Sequence, residues 1–364
     1  MRKITSTLLA TAISSCLYPN LSLADHLSGG FDLGQSSAIL TESANPLPQG
    51  RWYASISTEI VENQSFSDDK LVGLRAFDIL QYGDAHADLH SIEKISGTSI
   101  SLGYGFTENL TVGLRVPYVK RENIREPDEG HSHDGGPIVI HDVIEHGDSS
   151  GLGDTTLMGM YRFRSTESSN MALLFGVKLP TGEEKESGFR DEVFVRRIDT
   201  GVIPDDHGDD EHDAVGHSHT GNRLETHQQP GSGSYDSIAG FAYSRLLGQF
   251  NLDSSLLYTF ANEGSQDTNL GDSFKYNLAL TYPLQASLDM VLELNGEWRD
   301  REVRGSEIIN NSGGRHLYLS PGFRYQSGNN WSASLSLGLP LKEDINGYQS
   351  EPEKRWSGSL SFNF

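Results

Sequence analysis

Residues in this chain alternate between apolar and polar or small side chains in runs of about ten, the length an extended chain needs to cross a bilayer obliquely. The last run ends on Phe364. Over 110–118, Leu110, Val112, Leu114, Val116 and Tyr118 share one face, with Thr111, Gly113, Arg115 and Pro117 on the other. Met171, Leu173, Phe175, Val177 and Leu179 repeat the pattern against Ala172, Leu174, Gly176 and Lys178, as do Leu288, Met290, Leu292 and Leu294 against Asp289, Val291, Glu293 and Asn295. One face suits hydrocarbon, so the charged face must look into an enclosed lumen.

Twelve such runs are found, at 51–61, 97–106, 110–119, 152–164, 171–180, 234–245, 250–260, 273–282, 287–299, 315–325, 331–341 and 354–364. An even number returns the chain to its starting side, and the connections alternate between short and long without exception, as periplasmic turns and extracellular loops do. An open sheet edge would leave backbone groups bare in hydrocarbon, so the sheet is expected to close. The expected fold is therefore an all-β, closed, antiparallel up-and-down transmembrane β-barrel of about 12 strands over residues 51–364. Trp52, Phe106, Phe163, Tyr282, Tyr325 and Trp331 fall toward the periplasmic rim, and Tyr118, Phe260, Trp298 and Trp356 toward the outer one, where rings suit the headgroup layers. A secreted β-sandwich or β-helix is the soluble alternative, but it would expose its charges outward rather than group them with Ser and Gly.

Composition agrees. Only 36% of residues are hydrophobic and no apolar run of helix-spanning length follows the N-terminus. Arg2 and Lys3, the apolar stretch Ile4 to Leu17 and Ser22-Leu23-Ala24 read as a signal peptide over 1–24, and hence as export. Its removal deletes two cations and no anion from a chain of formal charge −22, which excludes nucleic acid as a partner. Cys16, the single cysteine, lies inside that signal, so no disulfide is expected; Ile13-Ser14-Ser15-Cys16 also matches, loosely, a lipoprotein cleavage box. Residues 25–50 precede the first strand as a periplasmic segment or a partial plug of the lumen, two alternatives the pattern leaves open.

Gly151-Leu152-Gly153-Asp154, Gly176-Val177-Lys178-Leu179-Pro180-Thr181-Gly182 and Gly231-Ser232-Gly233-Ser234-Tyr235-Asp236 resemble the outer-membrane family named after the meta-pathway of phenol degradation. The approach to the first strand, from Thr41 to Gly50, is similar to it too. The resemblance implies a porin-like or uptake barrel in the bacterial outer membrane, passing small and often aromatic molecules, with no catalytic residues to carry over. Long His-rich loops depart from that family's pattern.

Nine of the thirteen His lie between 131 and 227. Loop 120–151 carries His131, His133, His141 and His146, and loop 181–233 carries His207, His212, His217, His219 and His227, all among Asp and Glu. Each loop contains Gly-His-Ser-His. In an extended segment His-x-His turns both imidazoles to one side, and with carboxylates they form a donor set suited to Zn²⁺, Cu²⁺ or Ni²⁺, bound less well as pH falls below about 6.5. His86 and His90 form a third pair, four apart as on a helix face. The competing reading is a merely hydrophilic loop.

Glu59, Arg115, Asp154, Arg162, Lys178, Asp236, Asp253, Lys275, Asp289, Glu293, Glu297, Arg299 and Arg324 fall on the inward face and are the lumen-lining candidates, either along an aqueous path or paired so as to block it. The expected partners are outer-membrane lipid, the barrel-assembly machinery that reads a terminal Phe, and a small solute or metal ion. The functional expectation is a channel or uptake barrel whose loops bind a divalent metal, with no cofactor required. A non-conducting surface binding or sensing barrel is one alternative. An outer-membrane phospholipase-like enzyme is another, but it needs His and Ser on a strand's outer wall, whereas His131-Ser132 and His217-Ser218 fall in loops.

Overall fold

The computed structural model describes residues 38–82, 89–127, 131–132, 138–139, 143–186, 223–328 and 330–364. Residues 1–37, which include the expected signal, lie outside that description. The strands are β1 (Trp52–Gln64), β2 (Ser91–Gly105), β3 (Leu110–Pro127), β4 in two pieces (Val143–Leu152 and Thr155–Ser165), β5 (Ser169–Leu179) and β6 (Asp236–Leu247). They continue with β7 (Phe250–Phe260), β8 (Ser273–Gln285), β9 (Leu288–Arg299), β10 (Gly314–Ser327), β11 (Trp331–Ile345) and β12 (Glu351–Asn363). Helix α1 (Asp68–Tyr82) stands in the connection between β1 and β2.

Each strand pairs antiparallel with its sequence neighbours, and both pieces of β4 lie along one flank of β3. β12 then pairs with β1, so twelve staves close on themselves. At the seam Trp52 N donates to Phe364 O at 2.8 Å and Phe364 N to Trp52 O at 3.0 Å. Closure supplies partners for the edge groups that water would otherwise have to satisfy. No helix among the described residues is long and apolar enough to cross a membrane, so any crossing falls to the strands.

The alternation holds as expected. Ile56, Ile100, Leu102, Val112, Leu157, Leu173, Phe175, Leu256, Leu278, Leu292, Phe323, Leu335 and Leu360 are exposed on the outer wall, while Ser55, Ser99, Thr156, Asp253, Glu293 and Ser357 are buried on the inner one. An apolar surface of that extent facing outward is a bilayer-contacting surface. Paired rings sit near its edges, Trp52 with Tyr104 and Tyr325 with Trp331 at the short-turn end, Tyr258 with Phe260 at the other. Several strands run past the expected limits at the long-loop end, β3 to Pro127 and β2 from Ser91. There outward charges replace apolar groups, and Lys94 pairs with Glu122 and Lys120 with Asp148 at 2.9 Å.

Residues 38–50 lie across the lumen and bond to inward side chains of strands far apart in sequence. The N–H groups of Ile39, Leu40 and Thr41 donate to the Glu293 carboxylate at 3.1 Å, Glu42 N to Ser255 Oγ at 3.3 Å, Ala44 N to Ser244 Oγ at 2.8 Å and Leu47 N to Thr111 Oγ1 at 2.8 Å. Gly105 lets this segment past: a Cβ there would collide with the Pro48 carbonyl.

A charged cavity at the outer mouth of the lumen

Three stretches of the chain converge at the long-loop end. Asp154, in the break of β4, accepts Gly182 N at 3.0 Å, Ser232 N at 2.9 Å and Ser232 Oγ at 2.6 Å. Lys178 near the end of β5 meets Asp236 at 2.6 Å, Asp154 at 3.6 Å and Ser232 Oγ at 2.6 Å. Asp236 also accepts Asn262 N at 3.0 Å. Gly182 and Gly231 allow the approach, since a Cβ on Gly182 would stand 2.5 Å from the Gly231 Cα. The Gly-Asp, Lys-to-Gly and Gly-to-Asp motifs singled out in the sequence are thus three sides of one hydrogen-bonded knot.

After Leu224 the chain turns into the mouth instead of outward. Leu224 packs with Ile92, Ile95 and Ile124, and Thr226, His227, Gln228 and Gln229 are all buried. Arg121 donates to the Gln229 carbonyl at 2.9 Å. Beneath this segment lies a cavity of about 230 Å³, whose lining includes Arg115, Arg121, Lys178, Lys275, Arg299, Asp154 and Asp236.

Six of the thirteen lumen candidates, Arg115, Asp154, Lys178, Asp236, Lys275 and Arg299, therefore meet at one cavity. Glu297 holds Arg299 at 2.9 Å and Lys275 at 3.8 Å, and Glu59 faces Arg355 at 3.9 Å. Glu293 and Asp253 serve the crossing segment: Glu293 holds its backbone, and Asp253 accepts Ser244 Oγ at 2.5 Å. Asp289, Arg324 and Arg162 sit toward the short-turn end. Asp289 accepts Gln326 Nε2 at 2.7 Å, Arg324 Nη2 reaches Ser332 Oγ at 3.5 Å, and Arg162 bonds Asn109 Oδ1 at 2.9 Å on the rim. The ion pairs of Lys178, Lys275, Arg299 and Arg355 join neighbours along the wall.

Inward groups beyond the candidate set also matter. Arg121 and Arg355 obey the same parity as Arg115 and Ser357, but lie just where the expected strand limits and face assignments stopped. Met158 and Met160 occupy the face of Thr156 and Arg162, yet their apolar character reads as a lipid signature. Together with Ala172, Leu174, Ile238, Ala242, Leu257 and Ala44 they form a buried apolar band inside the barrel.

Of the nine histidines expected to bind metal, His133, His141, His207, His212, His217 and His219 lie outside the described residues. His131 is described only as extended backbone, paired with Val139. His146 Nε2 lies 2.6 Å from Glu126. His227 is drawn into the mouth rather than held in an outer loop; it stacks on His90 at 4.5 Å and faces Glu302 at 3.4 Å. His90 follows the end of α1 at Tyr82 and precedes β2; His86, its suggested partner, lies outside the described residues. Among the described residues no group of three His, Cys, Asp or Glu is placed to hold a metal ion.

Residues 219–350 match the family model described as "Putative MetA-pathway of phenol degradation". Only the last of the three motifs, Gly231 to Asp236, lies within that match. No curated protein matches the sequence. Among solved structures, an outer membrane channel from Pseudomonas putida F1 superposes with a TM-score of 0.54 at 14% identity, covering 87% of this chain and 97% of that one. A toluene transporter from Ralstonia pickettii gives 0.43 at 10% identity over 87% and 90%, and a FadL homologue from Pseudomonas aeruginosa 0.41 at 10% over 95% and 99%. The first establishes likeness of fold; the other two scores carry no argument. The closed wall, its lipid-facing belt and the first of these likenesses identify the chain as a twelve-stranded β-barrel of the bacterial outer membrane, similar over residues 219–350 to the phenol-degradation family.

Proposed function

We propose that this barrel is an uptake channel that admits a small solute through the outer-mouth cavity. The observation that carries this reading is the cavity itself, about 230 Å³ of charged space inside a closed wall, between the inward-turned segment around His227 and the crossing segment 38–50. Side chains just fill a barrel of about eight strands, and twelve enclose a wider lumen that can keep such a space. The crossing segment narrows the path and suits a selective route better than a wide pore. The partners of this reading are outer-membrane lipid, the solute, and the assembly machinery that would engage the final strand. Planar-bilayer recording on the refolded barrel tests it: discrete single-channel currents are expected, and a barrel that inserts without conducting would leave a surface-binding role.

The duplicated Gly-His-Ser-His sequences support a second element, in which the outer loops gather Zn²⁺, Cu²⁺ or Ni²⁺. Calorimetric titration with Zn²⁺, with and without residues 128–148 and 205–227, is the test. Equal binding by both forms would remove the metal role.

A further inference from the structure

The outward face of the wall ends differently on its two sides at the long-loop end. Beside β6, β7 and β9 it ends in exposed rings, Tyr235, Phe260 and Trp298. From β12 through β1, β2 and β3 to β4 the outward positions just past the belt are charged instead. Lys354 of β12 stands opposite Glu62 of β1 and meets it at 3.7 Å, and Glu62 stands opposite Lys94 of β2. Lys94 is opposite Glu122 of β3 and paired with it. Glu122 also holds Lys120 at 2.9 Å, and Lys120 meets Asp148 of β4 at 2.9 Å.

Cation and anion therefore alternate around five strands in one cross-strand row. Lys354 and Lys120 each lie two residues beyond an exposed belt ring, Trp356 and Tyr118, which sets the row at headgroup height. Its end is fixed by Asn123, in the left-handed region at φ 57°, whose N–H donates to Asp148 Oδ1 at 3.1 Å and whose amide donates to Glu93 Oε2 at 2.7 Å. Acids outnumber bases 50 to 28 over the chain, yet this row carries three lysines for three carboxylates. Pairs between exposed side chains add little to stability, so holding the strands together does not account for the pattern. An exposed ammonium group has three donors and exchanges partners readily.

Phosphorylated lipids bridged by divalent cations form a headgroup layer of alternating charge, because phosphate and carboxylate oxygens both ligate hard cations. A row of lysines alone would displace the bridging ions, and a row of carboxylates alone would repel the phosphates. We propose that the row from Lys354 to Asp148 is a docking surface for a phosphorylated glycolipid of the outer leaflet. Its lysines take the phosphates, its carboxylates share the bridging divalent cations, and the acyl chains lie on the apolar wall below Trp356 and Tyr118. The surface is on the outside of the wall and is independent of whether the lumen conducts.

The full barrel, refolded in detergent, is titrated with bisphosphorylated lipid A, monophosphorylated lipid A and phosphatidylglycerol, in Mg²⁺ or in EDTA, and bound lipid is counted by native mass spectrometry. Bisphosphorylated lipid A in Mg²⁺ is expected to bind at least about tenfold more tightly than phosphatidylglycerol, with the monophosphorylated form between them. EDTA should weaken the first of these. Lys94→Gln with Lys120→Gln should weaken it by roughly tenfold or more, and Glu122→Gln with Asp148→Asn should abolish the response to EDTA. Arg162→Gln on the short-turn rim should change neither. Lipid A held by the unsubstituted barrel no better than phosphatidylglycerol, or held equally in Mg²⁺ and EDTA, overturns the proposal. Full retention of lipid A by the folded, heat-modifiable lysine variant overturns it too. A dimer that the lysine substitutions dissociate, with no preference for lipid A, would assign the row to a second copy of the chain and overturn the lipid reading.

Discussion

The two sides of the lumen have the same origin in sequence and opposite outcomes. On the arc of β9 to β12 and β1, inward side chains fill the space. Arg355 Nη2 donates to Asn295 Oδ1 at 3.0 Å and Ser320 Oγ at 3.3 Å, its guanidinium lies 4.2 Å above the Tyr318 ring, and Glu59 stands 3.9 Å away. Serines there bond directly, Ser332 to Ser361 at 2.7 Å and Ser334 to Ser359 at 2.8 Å. On the arc of β2 to β8, Arg115, Lys178 and Lys275 border a cavity. Small inward residues let one large cation reach its partners on the first arc; on the second, long cations face one another around a gap. Alternation selects the face, and the size of inward neighbours decides whether that face packs or stays open.

The contrast breaks most visibly if the crossing segment is removed. Deleting residues 38–48 should raise single-channel conductance several-fold by opening the lumen, and an unchanged conductance would show that this segment does not limit the path. On the filled arc, Arg355→Ala should lower stability by about 3–5 kcal/mol, because it removes a buried cation that faces Glu59, bonds Asn295 and Ser320 and covers the Tyr318 ring. The urea midpoint of the heat-modifiable gel shift reads this directly. Glu293→Gln exchanges a carboxylate that accepts three N–H groups for an amide, and should weaken the hold on residues 39–41 by about 1.5–3 kcal/mol, seen as protease cleavage in that segment before the barrel unfolds. On the open arc, Arg115→Gln should move the reversal potential toward cations while shifting the urea midpoint by less than about 1 kcal/mol equivalent. A large stability loss there would mean the two arcs are packed alike. Smallest of all, Lys354→Gln, which removes an exposed pair with Glu62, should change stability by about 0–1 kcal/mol.

Much of the wall was legible beforehand because strand parity is local: each side chain's face depends only on its neighbours along the strand. Glu59, Asp253, Glu293 and Glu297 fall on the inward parity and are buried. The limits of legibility are equally physical. Met158 and Met160 share the inward parity of Thr156, but an apolar residue looks the same whether it meets lipid or a lumen band. The strands' continuation beyond the bilayer, as in β3, mixes charges onto both faces, so alternation fades just where Arg121 is found. His227 looks like one more loop histidine because nothing nearby marks the inward turn taken after Leu224.

What the sequence by itself determined is the closed antiparallel barrel and which strand faces turn inward, because a two-residue period and the demand that every backbone group in a bilayer be satisfied leave few other solutions. Only the tertiary structure decided which of those charges share a cavity, that residues 38–50 cross the lumen, and that Glu293 receives the backbone of Ile39, 254 positions away. Contacts of that kind depend on closure of the ring, which brings distant strands face to face and sets how much space their side chains leave between them.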